Sequence, residues 1–473
     1  MPDAVENSMV GLQVRNKLLP VFLGKVLPVF SLIVITILYS RKLTYTDYGL
    51  FQTVWIYANI IGVVISFGLS SMILSNNFRH FTSFVTQHKR RILTLYSIGW
   101  IVTFVIFYFT ANRFSATTKI LMTGFVILQN VSTFADTLFI KKNQLRVYLL
   151  INVSFTVLFF LIHLYFYFEP FVLDRLILSI IILYAVKAGC LVFLKKDHSL
   201  YDDNKIERSF GSNWFFIGIN EMTGIIARWI DKLFLLYLLS PAAFAVFFNG
   251  AIEIPLFAIL VSTMETVMLN NIAANITNKE NAVRTFRESF KILSLVAFPL
   301  FFFLLAMHAE LFQILFNNRY NASIPVFLVS IFIIPVRISH YGVLLQCYGQ
   351  AHKIFIGSLM DIAFSLLLMF ILFPLSGTPG VAVAIVISTY LQAFFYLWQS
   401  SKTMSAKITQ LVPFVFLARL FGALGFVYGL LYFAKTLLNV GSSVVLVFCI
   451  TGCLIATGLF YYWRHHKQKI WAI

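Results

Sequence analysis

The sequence predicts an all-α polytopic membrane protein of about 14 transmembrane helices, with two six-helix lobes as parallel repeats and two further C-terminal helices. Three observations lead to this prediction: an apolar composition, a series of long apolar runs and an internal duplication. Hydrophobic residues make up 60% of the 473 residues and charged residues 11%, and the mean hydropathy is +0.86. Soluble domains carry about 25% charged residues, so this chain belongs in a bilayer.

The apolar runs give the predicted helices in order. A membrane-spanning helix needs roughly 20 apolar residues, and about fourteen runs approach that length. They lie at 18–39, 49–74, 92–112, 118–140, 147–168, 172–194, 213–239, 242–269, 290–309, 323–346, 354–375, 379–400, 411–435 and 441–463. The first run follows Arg15 and Lys17 and lacks a small-residue cleavage site, so we expect it to be retained.

Positive charges alternate along the chain. The formal net charge is +18. About 23 Lys and Arg lie in the N-terminus, every second loop and the C-terminal tail, against about 7 in the opposite loops. By the positive-inside rule both termini are cytoplasmic. The charge is therefore mostly a topology signal, and we predict no nucleic-acid partner.

The four cysteines lie within or at the ends of predicted spans. None is paired with another in an exterior loop, and no His or Cys spacing typical of a metal site occurs. The sequence therefore predicts no disulfide framework, metal or cofactor.

The internal duplication covers most of the chain. The segment LTYTDYGLF at 43–51 returns as LSPAAFAVF at 239–247, and both copies end one apolar run and open the next. Further along, NQLR at 143–146 corresponds in place to GQAH at 349–352. Each unit then holds six spans, and an even number brings both copies into the membrane from the same side, as parallel repeats.

Three regions follow from this duplication. We predict an N-terminal lobe at 1–205, a C-terminal lobe at 206–405, and accessory spans 13 and 14 with a cytoplasmic tail at 406–473. No loop exceeds about twenty residues, which leaves no room for a soluble catalytic domain, and phosphate-cradling, metal-ligand and nucleophile motifs are missing. A duplicated membrane half is typical of transporters, whose substrate site lies between the repeats, so we predict a carrier and not an enzyme.

Polar residues at helical spacing mark two of the spans. The candidate cavity-lining residues are Gln52, Asn59 and Ser66 in span two, and Asn220 and Gly224 in span seven. Such stripes also form helix-helix contacts through small and hydrogen-bonding residues. Both interpretations stay open from the sequence, with a slight preference for a shared cavity.

Charges inside the spans are sharper candidates, since one at the bilayer centre costs roughly 2.5 to 3.5 kcal/mol. The candidate substrate-binding cations are Lys25, Lys187, Arg228 and Arg337. The candidate charge partners or ion-coupling residues are Asp136, Glu221, Asp231, Glu253 and Asp361. A cationic cavity suits an anionic headgroup such as a diphosphate, because Arg and Lys replace the water that the anion sheds.

Depth and neighbours separate these charges. Arg228, Glu253 and Arg337 lie deepest in the predicted spans. We therefore favour a functional role for these three over a structural one. Arg228 can reach Asp231 one turn away on its own helix. The alternatives are snorkelling for Lys25 and an ordinary position near a cytoplasmic helix end for Asp136, Lys187 and Asp361. Interface anchoring is favoured for Lys232 and Glu265, and packing for His163 and His340.

Three segments carry a resemblance to a known family. They are RKLTYTDYGLFQ at 41–52, IDKLFL at 230–235 followed by LSP at 239–241, and YGQ at 348–350 through Asp361 to GTPGVAVA at 377–384. In their order and spacing these segments resemble the Wzx-type lipid-linked oligosaccharide flippases of the multidrug/oligosaccharidyl-lipid/polysaccharide (MOP) exporter superfamily.

The resemblance implies two six-helix lobes around a cationic cavity, in a bacterial cytoplasmic (inner) membrane. It implies alternating access that turns an undecaprenyl-diphosphate-linked glycan from the inner to the outer leaflet, for polysaccharide or O-antigen (lipopolysaccharide) biosynthesis. Membrane lipid, a polysaccharide polymerase or export proteins are the candidate partners, and H+ and Na+ the candidate coupling ions. Arg228 and Arg337 are chosen from depth and charge, not from a family binding position.

Two other functions compete with this expectation. A drug or metabolite exporter of the same superfamily would share the lobes and differ in cavity chemistry, and cavity cations count against cationic drugs. A membrane polysaccharide polymerase or glycosyltransferase would need an extended exterior loop or an acidic pair beside it, and the exterior loops here are short. A scaffold without transport would leave the costly intramembrane charges without a purpose.

Overall fold

A computed structural model describes residues 2–75, 89–110, 113–193, 209–252, 254–274, 277–317 and 319–438. Within these ranges the regular structure is α-helix with three short 3-10 turns and no strand, which confirms the all-α class. Eight of the described helices are long and apolar enough to cross a membrane. The predicted total of about 14 spans stays a prediction, and the fourteenth, at 441–463, lies outside the described residues.

Each predicted span except the fourteenth overlaps one or more of the described helices. In chain order they are α1 Pro2–Lys42, α2 Tyr45–Ser66, α3 Leu69–Ser75, α4 Lys89–Thr110, α5 Ala116–Lys141, α6 Leu145–Phe168, α7 Leu173–Gly189, α8 Ser209–Leu238, α9 Pro241–Gly250, α10 Pro255–Ala274, α11 Lys279–Ala306, α12 His308–Phe316, α13 Ile324–Ser330, α14 Val343–Cys347, α15 Ala351–Ser376, α16 Thr378–Met404, α17 Ile408–Leu411 and α18 Phe414–Leu438. The 3-10 turns are Cys190–Phe193, Asn321–Ser323 and Ile331–Ile333.

The chain forms two compact units. The first runs to Trp229 and includes Ser240–Ala242, while the second comprises Ile230–Leu239 and the chain from Ala243 onward. In the first unit α1 packs on α6, and α5 packs on α2, α3, α4 and α7. In the second, α15 packs along α16, and α11 packs on α10 and α18.

Local sequence explains several helix ends. The side chains of Thr44 and Ser115 accept the backbone N–H of Asp47 at 3.0 Å and of Thr118 at 3.1 Å, and so cap α2 and α5. Between α15 and α16, Gly377 adopts a φ of +63°, which only glycine adopts without strain. These residues fix where long apolar helices begin and end, which hydropathy alone leaves open.

The predicted second span is two helices instead of one. It breaks at Phe67 and Gly68, which have φ values of 43° and 69°. The α8 helix holds this kink within the first unit, because the indole Nε1 of Trp214 donates to the Phe67 carbonyl at 2.9 Å. Gly218 leaves room for the Phe67 ring, which lies closer than 3.0 Å to where a Cβ would stand.

The predicted tenth span is also discontinuous. After α13 and a 3-10 turn the backbone leaves the helix at 334–342 and resumes as α14. Pro335 has no N–H to donate to the helix ladder and its ring crowds the preceding turn. The hydroxyl of Tyr341 donates to the Val336 carbonyl at 2.6 Å and satisfies a group that the break exposes. We call residues 334–342 the unwound segment.

The predicted eighth span is likewise divided, into α9 and α10. The helical backbone stops at Gly250 and restarts at Pro255. Gly250 lies against Val326 so closely that a Cβ would stand less than 3.0 Å from it. Spans eight and ten of the second unit therefore both break in mid-sequence, and Gly250 at the end of α9 packs on Val326 of α13.

Candidate functional site

The unwound segment places several polar groups in one region of the second unit. Arg337, a predicted substrate-binding cation, lies in it and is exposed. Its backbone N–H bonds to the carbonyl of Ile333 at 3.1 Å. Non-helical backbone at membrane depth is tolerated only where it is buried in protein or lines a water-filled cavity. An exposed Arg on such backbone is therefore a candidate ligand-binding group.

Three contacts anchor the segment that follows Arg337. The hydroxyls of Ser339 and Ser289 of α11 lie 2.9 Å apart. The His340 Nε2 lies 3.2 Å from Oε1 of Glu265, on α10. Tyr341 bonds back to the segment itself, and its ring packs edge-on against that of Phe290. The segment thus has a defined shape although it is not helical.

Asp361, a predicted charge partner, lies beside this region on α15. The Arg337 charge is close enough to act on its carboxyl group, and the Ser388 hydroxyl, which donates to the Ile385 carbonyl at 3.1 Å, lies near the same group. The Asp361 oxygen Oδ1 is buried and has no hydrogen-bond partner among the described residues. The structure therefore brings Arg337 and Asp361 together, which the sequence did not predict as a pair.

A second polar cluster lies in the first unit, where three helices meet. The ammonium of Lys187 on α7 bonds to Asp136 Oδ2 on α5 at 2.8 Å and to Asn152 Oδ1 on α6 at 2.9 Å. The Asn152 amide donates to Asp136 Oδ1 at 3.0 Å. Lys187 is 8% exposed and lies 4.6 Å from the centre of the Phe155 ring. Because the charge is neutralised in place, this triad suits helix-helix attachment better than anion binding.

The predicted residues of span seven lie along α8. Asn220, Gly224 and Arg228 are all exposed, and their spacing of four residues places them on one face of the helix. No heavy atom comes within 4 Å of where a Gly224 Cβ would stand. The polar stripe predicted from the sequence is thus an accessible surface.

The acids of α8 have other partners. Asp231 is 7% exposed, and its Oδ2 accepts from Lys232 Nζ at 2.9 Å, so the adjacent lysine holds the acid that we expected Arg228 to reach. Glu221, another predicted charge partner, accepts a short hydrogen bond from the Ser71 hydroxyl on α3. Both acids are therefore engaged in the described structure.

The predicted residues of span two are less accessible. Gln52 is 3% exposed. The Asn59 amide donates to the Trp55 carbonyl at 2.9 Å, and the Ser66 hydroxyl to the Val63 carbonyl at 3.0 Å. These contacts favour the helix-packing interpretation of this stripe, and a cavity-lining role for it stays a prediction.

Two predicted residues remain. Lys25 is exposed on α1, as a cavity cation or a snorkelling lysine would be. Glu253 lies outside the described residues. In the part of the chain that the structure describes, no three His, Cys, Asp or Glu side chains come together as a metal site would require.

Sequence reasoning missed the pairing of Glu265 with His340. It treated the first as an interface anchor and the second as an isolated packing residue. Asn152, the centre of the triad in the first unit, was also not singled out. No sequence signal marks either contact, because the partners lie on different helices, and only the fold brings them together.

These features define a class: a multi-pass α-helical membrane protein whose helices break around polar and charged side chains, as in many transporters. Solved transporters share the fold. The structure aligns with the lipid II flippase MurJ in an inward closed conformation at a TM-score of 0.67 and 13% identity, covering 96% of this chain and 99% of that one. It aligns with an inward-facing multidrug resistance MATE family transporter at 0.59 and 14%, covering 81% and 98%.

A third solved structure, a MOP superfamily transporter from Pyrococcus furiosus, aligns at a TM-score of 0.57 and 15% identity, covering 82% of this chain and 94% of that one. The protein therefore has the fold of these solved transporters. No family model and no curated protein matches the sequence.

Proposed function

We propose that the protein is a flippase that moves undecaprenyl-diphosphate-linked oligosaccharide from the inner to the outer leaflet of a bacterial inner membrane, for polysaccharide or O-antigen biosynthesis. The observation that carries the proposal is the set of exposed cations on membrane-embedded segments of an otherwise apolar chain. They include the predicted substrate-binding cations Lys25, Arg228 and Arg337.

Exposure separates these three cations from the other intramembrane lysines. Lys187 and Lys232 are buried and bonded to Asp136 and Asp231, so their charge is already neutralised. An exposed intramembrane cation needs water or an anion to offset the roughly 2.5 to 3.5 kcal/mol of placing it in the bilayer. Accessible positive charge favours an anionic cargo over a cationic drug, and Asp361 offsets only part of it, at Arg337.

A diphosphate fits these groups. Its oxygens accept the two parallel N–H donors of an Arg guanidinium, whereas Lys supplies a point charge. Both Arg228 and Arg337 offer a guanidinium on an exposed surface. The lipid tail of the cargo would stay in the bilayer while these groups replace the water lost by its headgroup.

The fold adds support. One of the solved neighbours is a flippase for lipid II, and its likeness extends over nearly the full length of both chains. The proposal keeps two six-helix lobes, 1–205 and 206–405, that alternate access to the two leaflets, with 406–473 as an accessory region. It also keeps both termini in the cytoplasm, a polysaccharide polymerase or export proteins as partners, and H+ or Na+ as the coupling ion.

Reconstitution tests the proposal. Purified protein in proteoliposomes would receive an undecaprenyl-diphosphate-linked oligosaccharide, and a membrane-impermeant hydrolase would score its appearance in the outer leaflet. We expect the glycan to reach the outer leaflet faster than in protein-free vesicles. The protein should accelerate this movement little for a cargo of the same lipid without phosphate. Imposed H+ and Na+ gradients, one at a time, would identify the coupling ion.

The competing function predicts a different result in the same vesicles. If cationic dyes are exported while several diphosphate-linked glycans gain no outer-leaflet exposure, in protein that elutes as a folded species, the chain is a drug exporter. Hydrolysis or elongation of the glycan in the absence of the reporter enzyme would instead indicate a membrane enzyme.

A further inference from the structure

The unwound segment requires something to hold it after Arg337, because the backbone N–H groups of residues 338–342 bond to no backbone carbonyl among the described residues. Two of its three anchors are hydroxyl contacts: Ser339 with Ser289, and Tyr341 with the Val336 carbonyl. The third anchor joins two ionisable side chains, Glu265 and His340. This contact follows Arg337 by only three residues.

We propose that Glu265 and His340 form a positioning pair that holds the unwound segment in the shape that presents Arg337 to the diphosphate of the cargo. This inference rests on the proposed function. Neither residue contacts the cargo in this account, since both act through the backbone that carries Arg337.

The geometry supports a positioning role. The His340 Nε2 lies 3.2 Å from the Glu265 carboxylate, whereas its Nδ1 is buried and has no hydrogen-bond partner among the described residues. The imidazole is therefore held through one nitrogen, and loss of the Glu265 oxygen would release the ring. Because His340 lies in the unwound segment, release of its ring would free the backbone next to Arg337.

The pair also connects the two discontinuous spans of the second unit. Glu265 lies on α10, which follows the break after Gly250, and His340 lies just before α14, which follows the break after Ile333. The helices α10 and α14 pack together. A bond at this place couples the shape of one broken span to that of the other.

A purely structural role would have a different signature. The side chains of His340 and Glu265 are 39% and 27% exposed, and polar contacts with this much exposure contribute little to global stability. A structural pair would therefore alter folding slightly and transport not at all. A positioning pair would alter the cargo affinity of Arg337 while the fold stays intact.

The first test asks whether the pair holds the segment, independently of any cargo. Hydrogen exchange of the full-length protein in lipid nanodiscs would compare Glu265→Ala and His340→Ala with the parent. We expect exchange of the amides in 334–347 to rise about tenfold or more in both variants. Glu265→Gln, which keeps an acceptor oxygen, should restore most of the protection.

The matched control is a half-exposed pair of side chains elsewhere in the same unit. Lys291 Nζ lies 2.7 Å from Glu288 Oε1 on α11, with side chains 31% and 35% exposed. Glu288→Ala should leave exchange in 334–347 unchanged. Parental exchange in Glu265→Ala and His340→Ala would overturn the inference.

The second test asks whether the pair acts through Arg337. In the flipping assay, Glu265→Ala should raise the KM for the diphosphate-linked glycan about tenfold with kcat little changed, and Glu265→Gln should restore it. In an Arg337→Gln background the same Glu265→Ala change should have no further effect. If the double variant instead shows the product of the two single increases in KM, Glu265 acts independently of Arg337, and the positioning role is wrong.

The two tests separate the inference from the function on which it rests. If hydrogen exchange rises as expected but Arg337→Gln leaves transport of the diphosphate-linked glycan unaltered, the pair holds the segment. In that case Arg337 does not bind the diphosphate, and this part of the proposed function is wrong. If Arg337→Gln impairs transport and Glu265→Ala alters neither exchange nor KM, the function stands and the positioning pair is refuted.

Discussion

Single residues divide the intramembrane charges into two groups. Lys187 and Lys232 are buried with acids at bonding distance, and Lys25, Arg228 and Arg337 are exposed. Position in a predicted span marked all five as intramembrane charges, with Arg228 and Arg337 deepest and interface anchoring favoured for Lys232. Depth could not identify the compensating group, because the Lys187 and Asp136 partners lie on α7 and α5 and meet only when the helices pack.

The Lys187 triad gives a stability prediction. Lys187→Met should strand the Asp136 carboxylate in a largely buried site, and breaking such a pair by removing one partner costs about 3 kcal/mol or more. Thermal or denaturant unfolding in a defined detergent would measure the loss. The double variant Lys187→Met with Asp136→Leu should recover most of it, because no uncompensated charge remains. A single variant as stable as the parent would show that the triad contributes nothing.

At the scale of helices, the sequence predicted where many of the helices lie, but not where a span is broken into two helices. Apolar runs located α5, α6, α15 and α16 to within a few residues, because length and hydropathy are local properties. The breaks in spans two, eight and ten were not predicted. Pro255 and Pro335 mark helix ends in spans eight and ten, but the place where α14 resumes depends on Tyr341 and Ser339 finding their partners, which is tertiary information.

The α15–α16 hairpin gives a prediction at this scale. Gly380 packs on the backbone of Leu372, so that a Cβ would stand less than 3.0 Å from its carbonyl oxygen. Gly380→Ala should push the two helices apart and cost about 1 to 3 kcal/mol, read as a lower unfolding temperature. The control is Gly429→Ala on α18, where a Cβ would meet nothing within 4 Å. Equal stability of the two variants would contradict the tight contact.

At the scale of the whole molecule, composition and duplication were enough to predict an all-helical transporter fold, which the structure bears out. Both signals are global, so errors in single helix bounds did not affect them. The cargo is a different matter, because it depends on which cations are exposed, and exposure is a property of the packed chain. The sequence proposed four cavity cations, and the structure shows one of them, Lys187, already bonded to an acid.

The alternation of positive charge predicts the membrane orientation. In a variant with its natural cysteines replaced by serine, Asn321→Cys, in a predicted exterior loop, should react with a membrane-impermeant maleimide on intact cells. Thr409→Cys, in a predicted cytoplasmic loop, should react only after permeabilisation. Both positions are exposed, so access to the reagent depends on the side of the membrane. Labelling of Thr409→Cys from outside would reverse the predicted topology.

The most direct measurement of the central claim is the initial rate at which a diphosphate-linked glycan reaches the outer leaflet when single cations are removed. We predict that Arg228→Gln and Arg337→Gln each lower this rate about tenfold or more, because each removes a guanidinium that holds the diphosphate. Arg419→Gln, which removes an exposed Arg on α18, should transport at the parental rate. Parental rates for both Arg228→Gln and Arg337→Gln, in folded protein, would contradict the account.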